Sequence, residues 1–371
     1  MEVLELSRYP VGDFWKNKRV FVTGHTGFKG SWLCHWLIML GAKVRGYSVS
    51  EEKNRSFFGN SNLTSLLEHE IADIRETERL KLALRSFDPE IIIHLAAQPI
   101  VRLSYEIPEE TWSVNLMGGL SLLSACKSIE PDLKHPLAIV FVTTDKVYEN
   151  LGDDVAFSEN DRLGGDDPYS SSKAASELLV SSWNKSFWSS KTFIKIATAR
   201  SGNVIGGGDW SCDRLFPDYV RAATNGKKLE LRNPLSTRPW QHVLDPLNGY
   251  LCLAESLFNG AVESGSAWNF GPDLHNNLSV IEMVNLCQGI WPLDILFKQN
   301  KSQCQKPEAS KLQLSSNNAK NILSWVPIWG PKEAVFETLT WYKSYYSGFA
   351  AGKLCEEQII RYQKVDSKNR Q

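Results

Sequence analysis

The chain has 371 residues, a length that suggests two domains or one bilobal unit. Hydrophobic residues make up 42% and charged residues 22%, the balance of a soluble globular protein and not of a disordered or membrane-spanning one. A formal net charge of −1 leaves no basic field to draw in nucleic acid or an anionic membrane, so any recognition of phosphate has to be local.

The opening "MEVLELSRYPVGDFWKNKRV" has no basic segment followed by an apolar stretch, so no secretory signal is read and a cytoplasmic location is expected. "RVFVTG" (19–24) reads as a strand ending in glycine, "SWLCHWLIMLGA" (31–42) as a helix, and "KVRGYSV" (43–49) as the next strand. That helix is too short for a membrane span, which needs about 20 apolar residues. The seven cysteines stand singly with no C-x-x-C, as expected of buried thiols in a reducing compartment, and neither a disulfide frame nor a metal site is expected.

Further strands are predicted at 90–97, 137–144 and 192–200, with helices at 75–86, 110–128 and 169–188. Continuous apolar runs alternating with helices predict an α/β fold, a Rossmann-type doubly wound parallel sheet covered on both faces. Past Arg200 the pattern changes to the glycine-rich "SGNVIGGGDWSCDRLF" and then to short strands, prolines and tryptophans. A dinucleotide-binding domain over 1–200 and a smaller mixed α/β substrate lobe over 201–371 are therefore expected, with the chain returning to the first domain near 239–270. "AWNFGP" (267–272) is expected to close the site, its aromatics reading equally as core or as ligand contacts, and the polar "RYQKVDSKNRQ" to fray.

Three motifs carry chemistry. "TGHTGFKG" (23–30) places Gly24, Gly27 and Gly30 between a strand and a helix, where glycine lets the backbone approach a pyrophosphate at the helix N-terminus. Within it Lys29 reads first as a solvated turn residue. The acid that usually holds the adenosine ribose about 20 residues on is missing from "RGYSVSEE", which leaves NAD and NADP both open and makes Arg45 a potential partner of a 2′-phosphate. Asp73 and Ile74, in "ADI", either flank the adenine or form an ordinary loop. "YSSSK" (169–173) sets Tyr169 and Lys173 four apart on one helical face. There a lysine ammonium is expected to lower the pKa of the phenol from its usual value of about 10. "VFVTTDKVYEN" ends a strand on Thr143, Thr144, Asp145 and Lys146.

The glycine turn, "HLAAQ" (94–98), Asn115 with Gly118, "TTD" and "YSSSK" together resemble the extended short-chain dehydrogenase/reductase family over nearly the whole chain. The longer strings "TGHTGFKGSWL", "LAAQPIVRLSY", "ARSGNVIGGGDW" and "LRNPLSTRPWQHVLDPLNGYL" are similar to its CDP-glucose 4,6-dehydratase branch. The resemblance implies NAD as cofactor, held by Gly24, Thr26, Gly27, Phe28, Lys29, Gly30, Asp73, Ile74, Leu95, Ala96, Ala97, Gln98, Asn115 and Thr143. It implies a hydro-lyase that oxidises the glucose of CDP-glucose at C4, eliminates water across C5–C6 and returns the hydride to C6, on the way to a deoxysugar. Tyr169 then takes the C4 hydroxyl proton, supported by Lys173, with Thr144 hydrogen-bonded near the C4 oxygen.

In the related dTDP-glucose and GDP-mannose dehydratases a glutamate stands where this chain has Lys146. Carried over literally, Asp145 protonates the C6 hydroxyl and Lys146 removes the C5 proton. This needs a neutral pair that lies about 9 kcal/mol above the ion pair in water. The alternative makes Asp145 the base and Lys146 an ammonium acid or electrostatic support. Arg238, Arg232 and Asn203 are expected at the nucleotide-sugar diphosphate, with Arg200 and Arg214 weaker candidates there, each also open to simple pairing with a nearby aspartate. The family also pairs the helices at 110–128 and 169–188, which implies a homodimer or homotetramer. An epimerase of the same fold and a redox-silent dinucleotide sensor are the rival readings.

Overall fold

The computed structural model describes residues 12–49, 57–152, 156–188, 192–231, 233–297 and 312–368. Seven strands, β1 (Arg19–Thr23), β2 (Lys43–Ser48), β3 (Glu68–Ile71), β4 (Ile91–His94), β5 (Leu137–Val142), β6 (Ile194–Ser201) and β7 (Ala267–Phe270), make one sheet among the described residues. Its order is β7-β6-β5-β4-β1-β2-β3, with every pairing parallel. β4 and β5 are buried at every residue, because parallel strands joined by crossover helices are covered on both faces. The crossovers run through α1 (Phe28–Met39), α2 (Thr77–Phe87), α3 (Gly118–Ile129) and α4 (Pro168–Trp183).

The strand order reverses between β1 and β4, so the loops leaving them diverge and open a crevice at the carboxyl edge of the sheet. α4 starts on Asp167, whose carboxylate accepts the Ser170 amide at 3.0 Å, with Pro168 as its first residue. That start sets the helical register that turns both Tyr169 and Lys173 inward, where both are buried.

The second lobe contains three two-strand pairings: Val204–Ile205 with Gln241–His242, Leu229–Leu231 with Ile295–Phe297, and Thr237–Arg238 with Leu278–Ser279. Around them lie α5 (Leu215–Thr224), the buried α6 (Leu244–Asn259) that packs on β5 and β6, and α7 (Val280–Gln288), which opens on a Ser279–Glu282 capping box. α8 (Pro331–Tyr346) and α9 (Ala351–Lys368) follow, and α9 packs against α1. The chain thus crosses back to the first lobe twice, once through α6 and β7 and again through α9.

Two expectations need correction. "AWNFGP" does not close the site: Ala267–Phe270 is the edge strand β7, and Trp268 and Phe270 are in the core. The described part of "RYQKVDSKNRQ" is not frayed but helical, and Tyr362 is fully buried with its hydroxyl donating to Asp245 at 2.8 Å. The polar residues of that stretch share a helix with Ile359 and Tyr362, and the buried pair anchors it.

Candidate active site

A cavity of about 1740 Å³ runs along the crevice from Ser48, Asp73 and Ile74, past Thr143 and Tyr169, to Asn203 and Arg238. At its first end the β1–α1 turn is pressed against the loop after β4. Gly24 has φ +74°, and a Cβ there would lie 2.7 Å from the Ala96 amide nitrogen. A Cβ on Gly30 would lie 2.1 Å from the Gly24 carbonyl oxygen. α1 starts on Gly27 with no side chain capping its amides, and Gly27, Phe28, Lys29 and Gly30 line the cavity. Glycine walls and a helix N-terminus facing a long slot fit a dinucleotide diphosphate. Thr26 Oγ1 lies 2.9 Å from Ser48 Oγ, a hydroxyl pair where an acid would hold a ribose. Leu95, Ala96, Ala97 and Gln98 line the same wall.

Asp73 also lines the cavity, bridged to Arg75 at 2.6 Å, and these hydrogen bonds hold its carboxyl below the usual range. Arg45 does not face the cavity. It pairs with Glu68, donates to Ser86 and stacks on Phe87 at 4.8 Å, so it is occupied on the outer side of the sheet.

Tyr169, Thr144, Asp145 and Lys146 form one hydrogen-bonded chain. The Tyr169 hydroxyl bonds to the Thr144 side chain. Thr144 Oγ1 donates to Asp145 Oδ1 at 3.0 Å, and Lys146 Nζ donates to the same oxygen at 3.1 Å. Asp145 is fully buried behind the cavity wall, with Oδ2 unpartnered and facing Gly202, whereas Lys146 lines the cavity and reaches Asn203 Oδ1 at 3.5 Å.

Lys173 lines the cavity one helical turn beyond Tyr169 and donates to the Val142 carbonyl at 3.1 Å. Burial pulls it down to about 8, against the field of Glu177, which works upward. The expected drop in the tyrosine pKa is not what the structure shows. Burial pushes Tyr169 up to about 12, only partly opposed by the Thr144 hydrogen bond and by Arg214. The reason is geometric: the Lys173 ammonium is turned toward a strand carbonyl, and removing a phenolate from water costs more than its neighbours return.

Asn115 sits in a π-helical turn, Ser113–Met117, that leads into α3. It accepts the Gln98 amide at 2.8 Å and donates to Ser172 at 2.9 Å, joining the β4 loop to α4 without facing the cavity. At the far end, Arg238 and Asn203 both line the cavity. Arg232 lies outside the described residues.

Lys29 is not a solvated turn residue. Its ammonium donates to Ser201 Oγ at 2.8 Å and to the Tyr250 hydroxyl at 3.3 Å, and burial, then Arg214, pulls it down to about 7. Arg214, ranked low from sequence, lines the cavity and pairs with Asp209 at 2.9 Å, as expected of it, while its charge still reaches Tyr169 and Lys29. Arg200 pairs with a glutamate, Glu177, and not with an aspartate. Little in the local sequence marks these partners: Ser201 and Tyr250 lie 172 and 221 residues from Lys29, and Glu177 lies 23 from Arg200.

The family model for GDP-mannose 4,6 dehydratase matches residues 21–338. The chain is 42% identical over 340 residues to the CDP-glucose 4,6-dehydratase of Salmonella typhimurium, an alignment that covers 91% of this chain and 93% of that protein. It is 25% identical over 346 residues to the human dTDP-D-glucose 4,6-dehydratase, covering 88% of this chain and 90% of that one. Two solved structures share the fold. The Bacillus anthracis dTDP-glucose 4,6-dehydratase, in complex with NAD, has a TM-score of 0.74 at 23% identity and covers 90% of this chain and 98% of its own. The Thermotoga maritima UDP-glucose 4-epimerase, with UDP-glucose, has a TM-score of 0.75 at 21% identity and covers 88% of this chain and 99% of its own. With a family match that spans most of its length and a relative at 42% identity across nine-tenths of it, the chain belongs to the GDP-mannose 4,6 dehydratase family.

Proposed function

We propose that this enzyme dehydrates CDP-glucose to CDP-4-dehydro-6-deoxy-glucose with NAD held in the crevice. The reading rests on one juxtaposition: a buried tyrosine, threonine and aspartate and a cavity-lining lysine, linked in a single hydrogen-bonded chain along a nucleotide-sized slot. The 42% identity to a CDP-glucose 4,6-dehydratase supports the choice of substrate.

When bound, NAD supplies the reversible two-electron oxidation. Gly24, Gly27 and Gly30 leave room for its diphosphate, and Asp73, Ile74, Leu95 to Gln98 and Thr143 flank the rest. Tyr169 takes the C4 hydroxyl proton, with Arg214 as a cation whose field favours the phenolate and Lys173 one turn on. Thr144 bonds near the C4 oxygen. A ketone at C4 makes the C5 proton acidic, and Lys146 is the member of the acid–base pair that faces the cavity.

Passing one proton along the 3.1 Å bond to Asp145 leaves Lys146 a neutral amine that removes the C5 proton. The pair then holds one proton more and gives it to the departing C6 hydroxyl, which leaves as water. Arg238 and Asn203, on the far wall, take the diphosphate and the sugar nucleotide.

The enzyme works as a homodimer or homotetramer in the cytoplasm. Trp112, Met117, Leu178 and Phe187 lie exposed on and beside the helices expected to pair. Cys34, Cys126, Cys252, Cys287 and Cys355 are buried thiols whose ionisation burial suppresses.

The test is product analysis with CDP-, dTDP-, UDP- and GDP-glucose, using CDP-glucose labelled with deuterium at C4. A 4-keto-6-deoxy product from CDP-glucose, with the label at C6 and no net cofactor consumption, is expected. Turnover of another nucleotide-glucose in preference, or a C4 epimer as product, overturns the reading.

A further inference from the structure

Beneath the reacting groups lies a buried ion pair that no step of the proposed reaction uses. Glu177 follows Lys173 by one turn on α4 and is 4% exposed. One carboxylate oxygen accepts from Thr143 Oγ1 at 2.5 Å and Arg200 Nε at 2.9 Å, the other from Thr198 Oγ1 at 2.7 Å and Arg200 Nη2 at 2.9 Å. Arg200, on β6, also donates to the Tyr148 hydroxyl at 2.8 Å and the Glu159 carbonyl at 3.1 Å. A buried pair of this kind is weak evidence for stability, since apolar residues of similar volume serve as well. What an apolar pair does not provide is a negative charge one turn from a lysine, tied by a hydroxyl to the residue before Thr144.

We propose that Glu177 is a positioning residue of the dehydratase site. Its carboxylate is the counter-charge that keeps Lys173 an ammonium and, through Thr143, it holds the strand end bearing Thr144 against the helix bearing Tyr169. The inference rests on the catalytic assignment of Tyr169 and Lys173 made above. Other charged or titratable groups stand near Lys173 on three neighbouring elements. His94, at the end of β4, is held neutral by burial, with its pKa at about 3. Lys29, on α1, is cationic only below about 7. Arg200, from β6, stands behind Glu177 and is neutralised by it.

The experiment is the pH dependence of kcat/KM on CDP-glucose. Loss of the carboxylate in Glu177→Gln disfavours the ammonium, so Lys173 gives up its proton at lower pH. The alkaline limb, which requires that proton, is expected to move toward acid by about one pH unit, a tenfold change in proton affinity. Glu177→Asp keeps the charge and restores the limb. Thr143→Val keeps the charge and lowers the rate without moving the limb. Glu177→Gln leaves Arg200 buried without its partner, so Glu177→Gln/Arg200→Met is measured alongside and is expected to shift the same way by less. If either variant folds and its limb stays in place while the rate falls, Glu177 is structural and the proposal is wrong. If Lys173→Met turns over CDP-glucose with an unchanged limb, it is the assignment of Lys173 that fails.

Discussion

At the scale of single residues, the pair Asp145–Lys146 is the one proposed to carry the elimination, the step that separates a dehydratase from a simple oxidoreductase. The two side chains are adjacent in sequence, yet one is sealed behind the wall and the other lines the cavity. Replacing Lys146 with Ala therefore removes the group proposed to meet C5 while Tyr169 and its support remain. Oxidation at C4 is expected to persist, seen as cofactor reduction in a single turnover. Exchange of the C5 proton with solvent deuterium is expected to fall by at least about 100-fold, the low end of what a positioned base contributes. Exchange that survives in Lys146→Ala and disappears in Asp145→Asn exchanges the two roles.

Tyr169 and Lys173 were legible in the sequence because a spacing of four is a local property of a helix. Where the ammonium points was not: Nζ meets the carbonyl of Val142, 31 positions away. Glu177 escaped and Arg214 was ranked low for the same reason, since a charge acquires a role only when folding brings its partner to within a few ångströms.

At the scale of elements, the C-terminal helix is joined to the helix that returns to the sheet. Asp245, at the start of α6, is fully buried and accepts the Ile328 amide and the Tyr362 hydroxyl, each at 2.8 Å, while Oδ2 has no partner. Burial raises its pKa to about 7, so the fold keeps the carboxyl protonated where the unfolded chain ionises it. A raised folded value means that this contribution to stability is complete below about pH 4 and is lost as pH rises to about 7. Between those limits the loss amounts to about 4 kcal/mol.

Asp245→Asn, which cannot ionise, is expected to lose this dependence. The gap in urea-unfolding free energy between it and the parent shifts in the variant's favour from pH 4 to pH 7.5, and a constant gap rejects the argument. The pattern of this region was legible as a return to the first domain near 239–270. The second return through α9 was not, because polar residues on the outer face of a helix mask the buried ones that dock it, Leu354, Cys355, Ile359 and Tyr362 among them.

At the scale of the whole molecule, the site belongs to neither lobe. The sheet edge supplies Thr144, Lys146, Tyr169 and Lys173, and the second lobe supplies Asn203, Arg214 and Arg238 across the same cavity. α4, which turns Tyr169 and Lys173 inward, also presents an apolar side chain outward, Leu178 at 61% exposure. Leu178→Glu, on a helix proposed to pair with a second subunit, is expected to shift the protein to monomer in sedimentation velocity at micromolar concentration. An unchanged sedimentation coefficient removes α4 from the subunit interface.

By itself the amino-acid order determined the alternation of strands and helices, the glycine turn and the four-residue step from Tyr169 to Lys173. Each of these is a matter of backbone geometry over a few consecutive residues. The tertiary structure alone decided which charges face one another. It set Asp145 behind Lys146, turned Lys29 inward to Ser201, drew Arg214 toward Tyr169 and locked Glu177 to Arg200. Electrostatic roles depend on distance and on exclusion of water, and both come into being only when the sheet, its covering helices and the second lobe close around the crevice.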